Sequence, residues 1–191
     1  MRRCSKCVML ETHDMISFDK DGVCATCRQI EYKQDKIDWV ARENDLIKLL
    51  EKYRGQGTHD CIVPFSGGKD STFQAYILAR KYKVKPLLVS FDHGFYRPNT
   101  LENNERTIKK LGLDYIKFKP DWQVVKKLMR ESLIRKGDIM WHSHCGIYAY
   151  PMQVAIQTKI PVIFWGEPTS EYVSYYSYEE DEIVDEKRFN R

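Results

Sequence analysis

The stretch Ser66-Gly67-Gly68-Lys69-Asp70-Ser71 constrains this chain more than any other. It follows a short apolar run, Cys61-Ile62-Val63-Pro64-Phe65, and precedes a helix-patterned segment over 71–82. Strand, glycine turn and helix in that order build an anion site. Paired glycines let the backbone turn sharply and approach a phosphate closely. The helix that follows directs unpaired N–H groups and the positive end of its dipole to the same place. Lys69 adds a point charge, and the hydroxyls of Ser66 and Ser71 add donors. Asp70 would repel a bare phosphate, so its presence implies a metal ion travelling with the anion. The spacing is not the Walker pattern, which needs Gly, four residues, then Gly-Lys-Ser/Thr. A plain tight turn with a solvated Lys and Asp is the competing reading, and six residues in this strand–helix context argue against it.

From residue 60 onward, apolar runs alternate with amphipathic ones. Residues 62–65 are the first expected strand, and the helix after the glycine turn is expected to bury Phe73, Tyr76 and Ile77. The run 86–91 (Pro-Leu-Leu-Val-Ser-Phe) is apolar enough to be covered on both faces. Asn99 is placed to cap a helix through Leu101, Ile108 and Leu111, stopped by Gly112. Residues 114–119 form a third strand. Asp121 caps the next helix, which carries Val124, Val125, Leu128 and Met129 and ends at Gly137. A further helix falls within 146–159, opened or kinked by Pro151, and 161–165 is a fourth strand. Such alternation predicts an α/β fold: a doubly wound parallel sheet, with ligands at the carboxyl ends of its strands.

Ahead of this domain, Cys4, Cys7, Cys24 and Cys27 form C-x2-C, sixteen residues, C-x2-C. That spacing fits a four-cysteine zinc knuckle. With four sulfur ligands no coordination position stays open for water, so such a zinc is structural. Between the pairs, 15–18 alternates like a strand and Asp19-Lys20-Asp21-Gly22 is a hairpin turn. Two disulfides are the competing reading, and His13 is expected at the surface. Residues 31–57 form a connecting helix, with Ile37, Val40, Ala41, Ile47, Leu50 and Tyr53 near three-and-four spacing, packing the knuckle on the main domain. The domain plan is therefore 1–30 knuckle, 31–57 helix, and 58–191 main domain, incomplete at its carboxyl end.

Composition excludes some classes. No run approaches about 18 apolar residues, so nothing spans a membrane as a helix. The opening Met1-Arg2-Arg3-Cys4 lacks the apolar core of a signal peptide. A cytoplasmic setting follows as the default, where six cysteines point to thiols or metal ligands. A net charge of +4 permits an anionic ligand without demanding nucleic acid. Lys109, Lys110, Lys126, Lys127 and Lys136 fit solvated helix faces better than a nucleic-acid stripe.

Other residues could carry chemistry. Asp92-His93-Gly94 follows the second strand at the ligand edge. His142, His144 and Cys145 cluster before a helix. They admit a Cys nucleophile with a His base, a metal site, a polar substrate loop, or a buried satisfied cluster. Gly166-Glu167 follows the fourth strand, placing Glu167 as a contact to a reacting phosphate, a magnesium ion or substrate, or else in a surface turn. Cys61 is expected in the core. Tyr172, Tyr175, Tyr176 and Tyr178 would stack on a ligand or pack against further protein.

S-G-G-K-D-S resembles the PP-loop of the ATP pyrophosphatases, which split ATP between its α- and β-phosphates. The knuckle with Cys4, Cys7, Cys24 and Cys27, the run Pro64-Phe65-Ser66-Gly67-Gly68-Lys69-Asp70-Ser71 and the strand end Phe91-Asp92-His93-Gly94 together resemble one branch of that superfamily. That branch is the N-acetyl sugar amidotransferases of bacterial surface-polysaccharide and flagellar-sugar biosynthesis. The resemblance implies an adenine nucleotide alpha hydrolase-like fold and AMP-forming ligase chemistry that converts an N-acetyl group of a nucleotide-activated sugar to an acetamidino group. It implies ATP held by Ser66, Gly67, Gly68, Lys69, Asp70 and Ser71, with adenine near the backbone of Phe91 and Asp92. It further implies catalytic roles for Lys69, Asp70 and Glu167, magnesium at Asp70, and structural zinc. Ammonia would come from a separate glutaminase–synthase pair. The oligomeric state stays open, a homo-oligomer included. Two alternatives remain open as well: a tRNA-thiolating PP-loop enzyme, which would want a reactive cysteine pair and a basic face, and a zinc- and nucleotide-binding module without turnover.

Overall fold

The computed structural model describes residues 1–12 and 16–166. His13, Glu167 and the tyrosines of 172–178, named above as candidates, lie outside the described residues. The described chain divides into two compact units, Met1–Glu43 and Asn44–Gly166.

The first unit is organised by its turns. Antiparallel bridges join Arg3 to Leu10 and Phe18 to Cys24. Between them, Gly22 takes a left-handed φ of 77°. The Asp19 carboxylate accepts from the backbone N–H groups of Asp21 and Val23, at 3.0 and 2.9 Å, closing the expected turn. Helix α1, Ala25–Asp35, begins directly after Cys24 and so carries Cys27 in its first turn. The single connecting helix expected over 31–57 is instead two. α1 ends at Asp35, and α2, Trp39–Tyr53, starts afresh where Asp38 Oδ1 accepts from Ala41 N at 2.9 Å. An N-capping aspartate competes with helix continuation, which is why the charged stretch breaks there.

In the second unit, strands β1 (Cys61–Pro64), β2 (Pro86–Phe91) and β3 (Tyr115–Phe118) form a parallel sheet in the order β1-β2-β3. The expected fourth strand at 161–165 is reduced to one parallel bridge, Ile62 to Ile163. It is held by Ile62 N donating to Val162 O and Phe164 N donating to Ile62 O. It nonetheless lies on the β1 edge opposite β2. The chain therefore winds one way through β2 and β3, then returns to the other side of β1. The carboxyl end of β1 is the topological switch point, where open α/β sheets bind ligands.

Helices α3 (Lys69–Arg80), α4 (Pro98–Leu111), α5 (Trp122–Lys136) and α6 (Trp141–Thr158) connect these elements. One core joins Cys61, Val63, Phe65 and Leu88 to Ala75 and Leu78 of α3, with Ile108 and Leu111 of α4 packed against it. A second core joins Ile62, Leu87 and Val89 to Val154 of α6. Alternate residues of the strands thus feed opposite cores, which makes the sheet doubly wound. Asp60, itself buried, accepts from Gly55 N and Lys85 N, both at 2.7 Å, tying the end of α2 to the entries of β1 and β2.

Helix phases and ends differ from expectation in four places. α3 buries Ser71, Ala75 and Leu78, while Phe73 and Tyr76 are 62% and 53% exposed and Ile77 is half-buried. α5 buries Val125 and Ser132 and leaves Val124 and Leu128 exposed. Its ends are as expected: the Asp121 side chain accepts from Gln123 N and Val124 N, and Gly137 is left-handed. α4 starts at Pro98, not Asn99, because proline at the first helical position forfeits only an N–H that would be unpaired anyway. α6 starts five residues before Gly146 and runs through Pro151. Among the described residues no helix is long and apolar enough to cross a membrane.

Candidate functional site

The glycine turn leaves β1 at the switch point and enters α3 directly. Gly67 is left-handed, φ 77°, and Gly68 stands as the extended residue before the helix. The turn is knitted by its own hydroxyls. Gly68 N donates to Ser66 Oγ at 3.2 Å, Ser71 Oγ donates to Gly68 O at 3.3 Å, and the two hydroxyl oxygens are 3.2 Å apart. These bonds set Ser71 inward, and from it the buried row of α3 runs i, i+4, i+7. Lys69 and Asp70 then fall on the solvent side of the first turn, paired Nζ to Oδ1 at 2.9 Å. The arrangement can receive an anion on backbone N–H groups with an exposed cation and a carboxylate beside it.

The neighbouring strand brings the second motif alongside. Phe65 N donates to Val89 O, the Ser90 hydroxyl bonds Phe65 O, and β2 ends at Phe91 beside the loop. The Asp92 carboxylate is buried and committed. Its Oδ1 accepts from Gly94 N at 2.9 Å, and its Oδ2 pairs with Lys117 Nζ at 3.7 Å. The Phe91 ring packs against the α6 backbone at Gly146, where a Cβ would lie 2.4 Å from it. Burial holds His93 below the ordinary histidine range against the pull of Asp92, and its ring lies 4.6 Å from that of Tyr96. Gly166 closes over α3; a Cβ there would sit 3.6 Å from Ser71 N and 3.7 Å from Asp70 Cβ.

His142, His144 and Cys145 do not form a loop; they occupy the opening turns of α6. His142 is buried and shares a 3.1 Å contact with the Ser143 hydroxyl, whereas His144 and Cys145 are exposed. Among the described residues no hydrogen bond links Cys145 to either histidine, so they show no nucleophile–base pair. Cys61 is fully buried, and burial pushes its thiol up to about 12, which makes it a core residue.

Asn104 of α4 belongs to none of the sequence motifs. It is buried, its Nδ2 donates to Ser66 O at 3.4 Å, and its Oδ1 has no partner. It abuts Gly67: a Cβ at 67 would fall 1.5 Å from Asn104 Oδ1. The signal was there, since Asn104 lies on the apolar stripe of Leu101, Ile108 and Leu111. Beyond it, a cleft of about 540 Å³ opens between Gly67 and α4, lined also by Asn99, Thr100, Glu102, Asn103 and Arg106.

In the first unit the four cysteines converge. Their sulfurs lie within 4.8 Å of one another, Cys4 to Cys27 at 3.9 Å and Cys7 to Cys24 at 3.6 Å, and all are free thiols. A tetrahedron of sulfurs about 2.3 Å from a central ion has edges of roughly 3.8 Å, so the donor set fits a tetrahedral metal. Backbone N–H groups of Lys6 and Cys24 point at Cys4 Sγ, at 3.4 and 3.3 Å. Although burial opposes ionisation of Cys4, such backbone donors outweigh it and lower this thiol to about 6. Burial raises Cys24 and Cys27.

A family model described as queuosine biosynthesis protein QueC matches residues 60–161, more than half of the chain. An uncharacterized protein of Methanocaldococcus jannaschii is 28% identical over 137 residues, which cover 71% of this chain and 48% of that protein. Among solved structures, an NH3-dependent NAD synthetase from Campylobacter jejuni, in complex with nitrate ion, has a TM-score of 0.50 at 16% identity, covering 74% of this chain and 62% of that one. A U34-tRNA thiolase NcsA from Methanococcus maripaludis, with its [4Fe-4S] cluster, has a TM-score of 0.44 at 16% identity, covering 90% and 55%. The chain thus spans about half the length of the curated relative it matches.

Proposed function

Since the chain belongs to the QueC family of PP-loop, ATP-using enzymes, we propose that it is the ATP-binding part of an AMP-forming amidotransferase acting on an N-acetyl group of a nucleotide-activated bacterial sugar. The observation that carries this reading is the pairing, in one chain, of a convergent four-thiol cluster with a glycine turn at the switch point. The setting is cytoplasmic, and the product is an acetamidino sugar for surface polysaccharide, O-antigen or flagellin glycan.

An amide carbon is a poor electrophile and its oxygen a poor leaving group. Attack by that oxygen on the α-phosphorus of ATP forms a P–O bond, breaks the bond to the β-phosphate oxygen and releases pyrophosphate. Ammonia then adds at the activated carbon, AMP departs with the oxygen, and loss of a proton leaves the amidine. The backbone N–H groups of 67–71 and the Lys69 ammonium hold charge as it builds on the departing pyrophosphate. Asp70 would hold a magnesium ion, which when bound neutralises phosphate charge. Cys4, Cys7, Cys24 and Cys27 would hold zinc through four thiolates, in a structural role. Glu167, next in sequence to the Gly166 turn that closes on Ser71, would contact the reacting phosphate, a magnesium ion or the substrate. A glutaminase–synthase pair delivers the ammonia.

The family match favours a second reading, a step of queuosine biosynthesis. The two separate in one experiment: protein, ATP and magnesium are incubated in parallel with ammonium and a panel of nucleotide-linked N-acetyl sugars, with ammonium and a queuosine precursor, and with tRNA and a sulfur donor, following AMP and the mass of the acceptor. AMP formed only with a sugar whose oxygen is exchanged for NH supports the first reading, and Lys69→Ala should abolish both signals. AMP formed only with a queuosine precursor supports the second, and AMP formed only with tRNA and a sulfur donor overturns both.

A further inference from the structure

We propose that the cleft between Gly67 and the first half of α4 receives the two outer phosphates of ATP, with Arg106 as their side-chain ligand. This rests on the ATP reading above and adds to it a second wall, contributed by α4 and not by the loop.

The cleft begins where the loop ends. Gly67 lines it, so the glycine turn and the cleft share a wall. Its volume of about 540 Å³ lies within the roughly 300–1,000 Å³ of small-ligand sites. The rest of the lining is polar: two asparagine amides, a threonine hydroxyl, Glu102 and Arg106. Arg106 is oriented, since its Nη2 donates to Asn103 Oδ1 at 2.7 Å, one turn earlier on the same face. A guanidinium carries five N–H donors in a planar fork, and that contact uses one, leaving a geometry matched to phosphate oxygens. Glu102 opposes a bare polyanion and tolerates one carrying its magnesium ion.

Two further observations tie α4 to the loop. Asn104 donates to the Ser66 carbonyl and abuts Gly67, so α4 and the turn keep one spacing. Negative charge accumulates on pyrophosphate as its bond to the α-phosphorus breaks. A fixed cation on the far side of the loop acts on that charge and not on the AMP left behind.

The test is calorimetric titration of the whole chain with three probes, magnesium pyrophosphate, magnesium ATP and AMP. Arg106→Gln should weaken pyrophosphate and ATP about ten- to a hundredfold, leave AMP unchanged and keep the thermal midpoint. Arg106→Lys should recover part of the loss. Lys110→Gln, the same charge change on α4 outside the cleft lining, should bind all three as the parent does. If Arg106→Gln binds pyrophosphate as tightly as the parent, or Lys110→Gln weakens it equally, the inference is overturned. A parent chain that binds no ATP overturns the ATP reading itself, a separate result.

Discussion

A methyl group at position 67 would meet two obstacles. Its φ of 77° strains any L side chain, at a cost of about 1–3 kcal/mol. The new Cβ would also fall 1.5 Å from Asn104 Oδ1 and 2.4 Å from its Cγ. Gly67→Ala should therefore lose stability and, on the proposed reading, ATP binding together. Asn104→Ala removes the colliding atoms and leaves the φ strain. The double variant should thus be less destabilised than the sum of the singles, with a coupling of about 0.5–3 kcal/mol read from denaturant unfolding. Strict additivity would mean that α4 yields and the contact is unimportant. The two residues also mark what a sequence discloses. Gly67 was legible because a turn's chemistry is local. Asn104 was not, because its role depends on which loop the helix packs beside, although an asparagine in an apolar stripe was a visible anomaly.

At the scale of elements, the existence and order of strands and helices were legible from residue 60 onward, while the facing of helices was less so. Phe73, Tyr76 and Ile77 form as good an apolar group as Ala75 and Leu78, and hydrophobicity alone favours the aromatics. The glycine turn decides otherwise, since the Ser71 hydroxyl bonds back into the loop and sets the helix phase before any apolar residue is reached. Leu78→Ala should cost about 2–5 kcal/mol. Phe73→Ser and Tyr76→Ser should each stay within about 0.5 kcal/mol. Urea unfolding of the three variants checks this, and the reverse order would show α3 turned the other way. The sequence predicts a late start for α6 for a related reason: Gly146 and Pro151 resemble breakers. Here Gly146 leaves room for the Phe91 ring, and the helix continues through both.

At the scale of the molecule the two units are held by different physics. Asn44–Gly166 has apolar cores on both faces of its sheet, supplied by strands and helices. Among the described residues of Met1–Glu43 there is one cluster, and of its four buried members three are cysteines: Cys4, Cys24 and Cys27, with Val23. Bringing four thiols together without an ion leaves a core of weakly interacting sulfur, so metal binding and folding of this unit should be one event. The cysteine spacing made this legible in sequence, because metal ligation, unlike helix packing, is written in a few residues. A strong chelator should lower or remove one thermal transition, that of the first unit, and leave the transition of the second in place. Metal uptake needs thiolates, and burial keeps Cys24 and Cys27 protonated at neutral pH while Cys4, at about 6, is largely ionised. Uptake should therefore release protons, those of Cys24 and Cys27 among them, and affinity should rise with pH through the neutral range. Competition with a chromophoric chelator at several pH values reads that slope. Affinity independent of pH, or one unfolding transition displaced as a whole by the chelator, would contradict this account of the cluster.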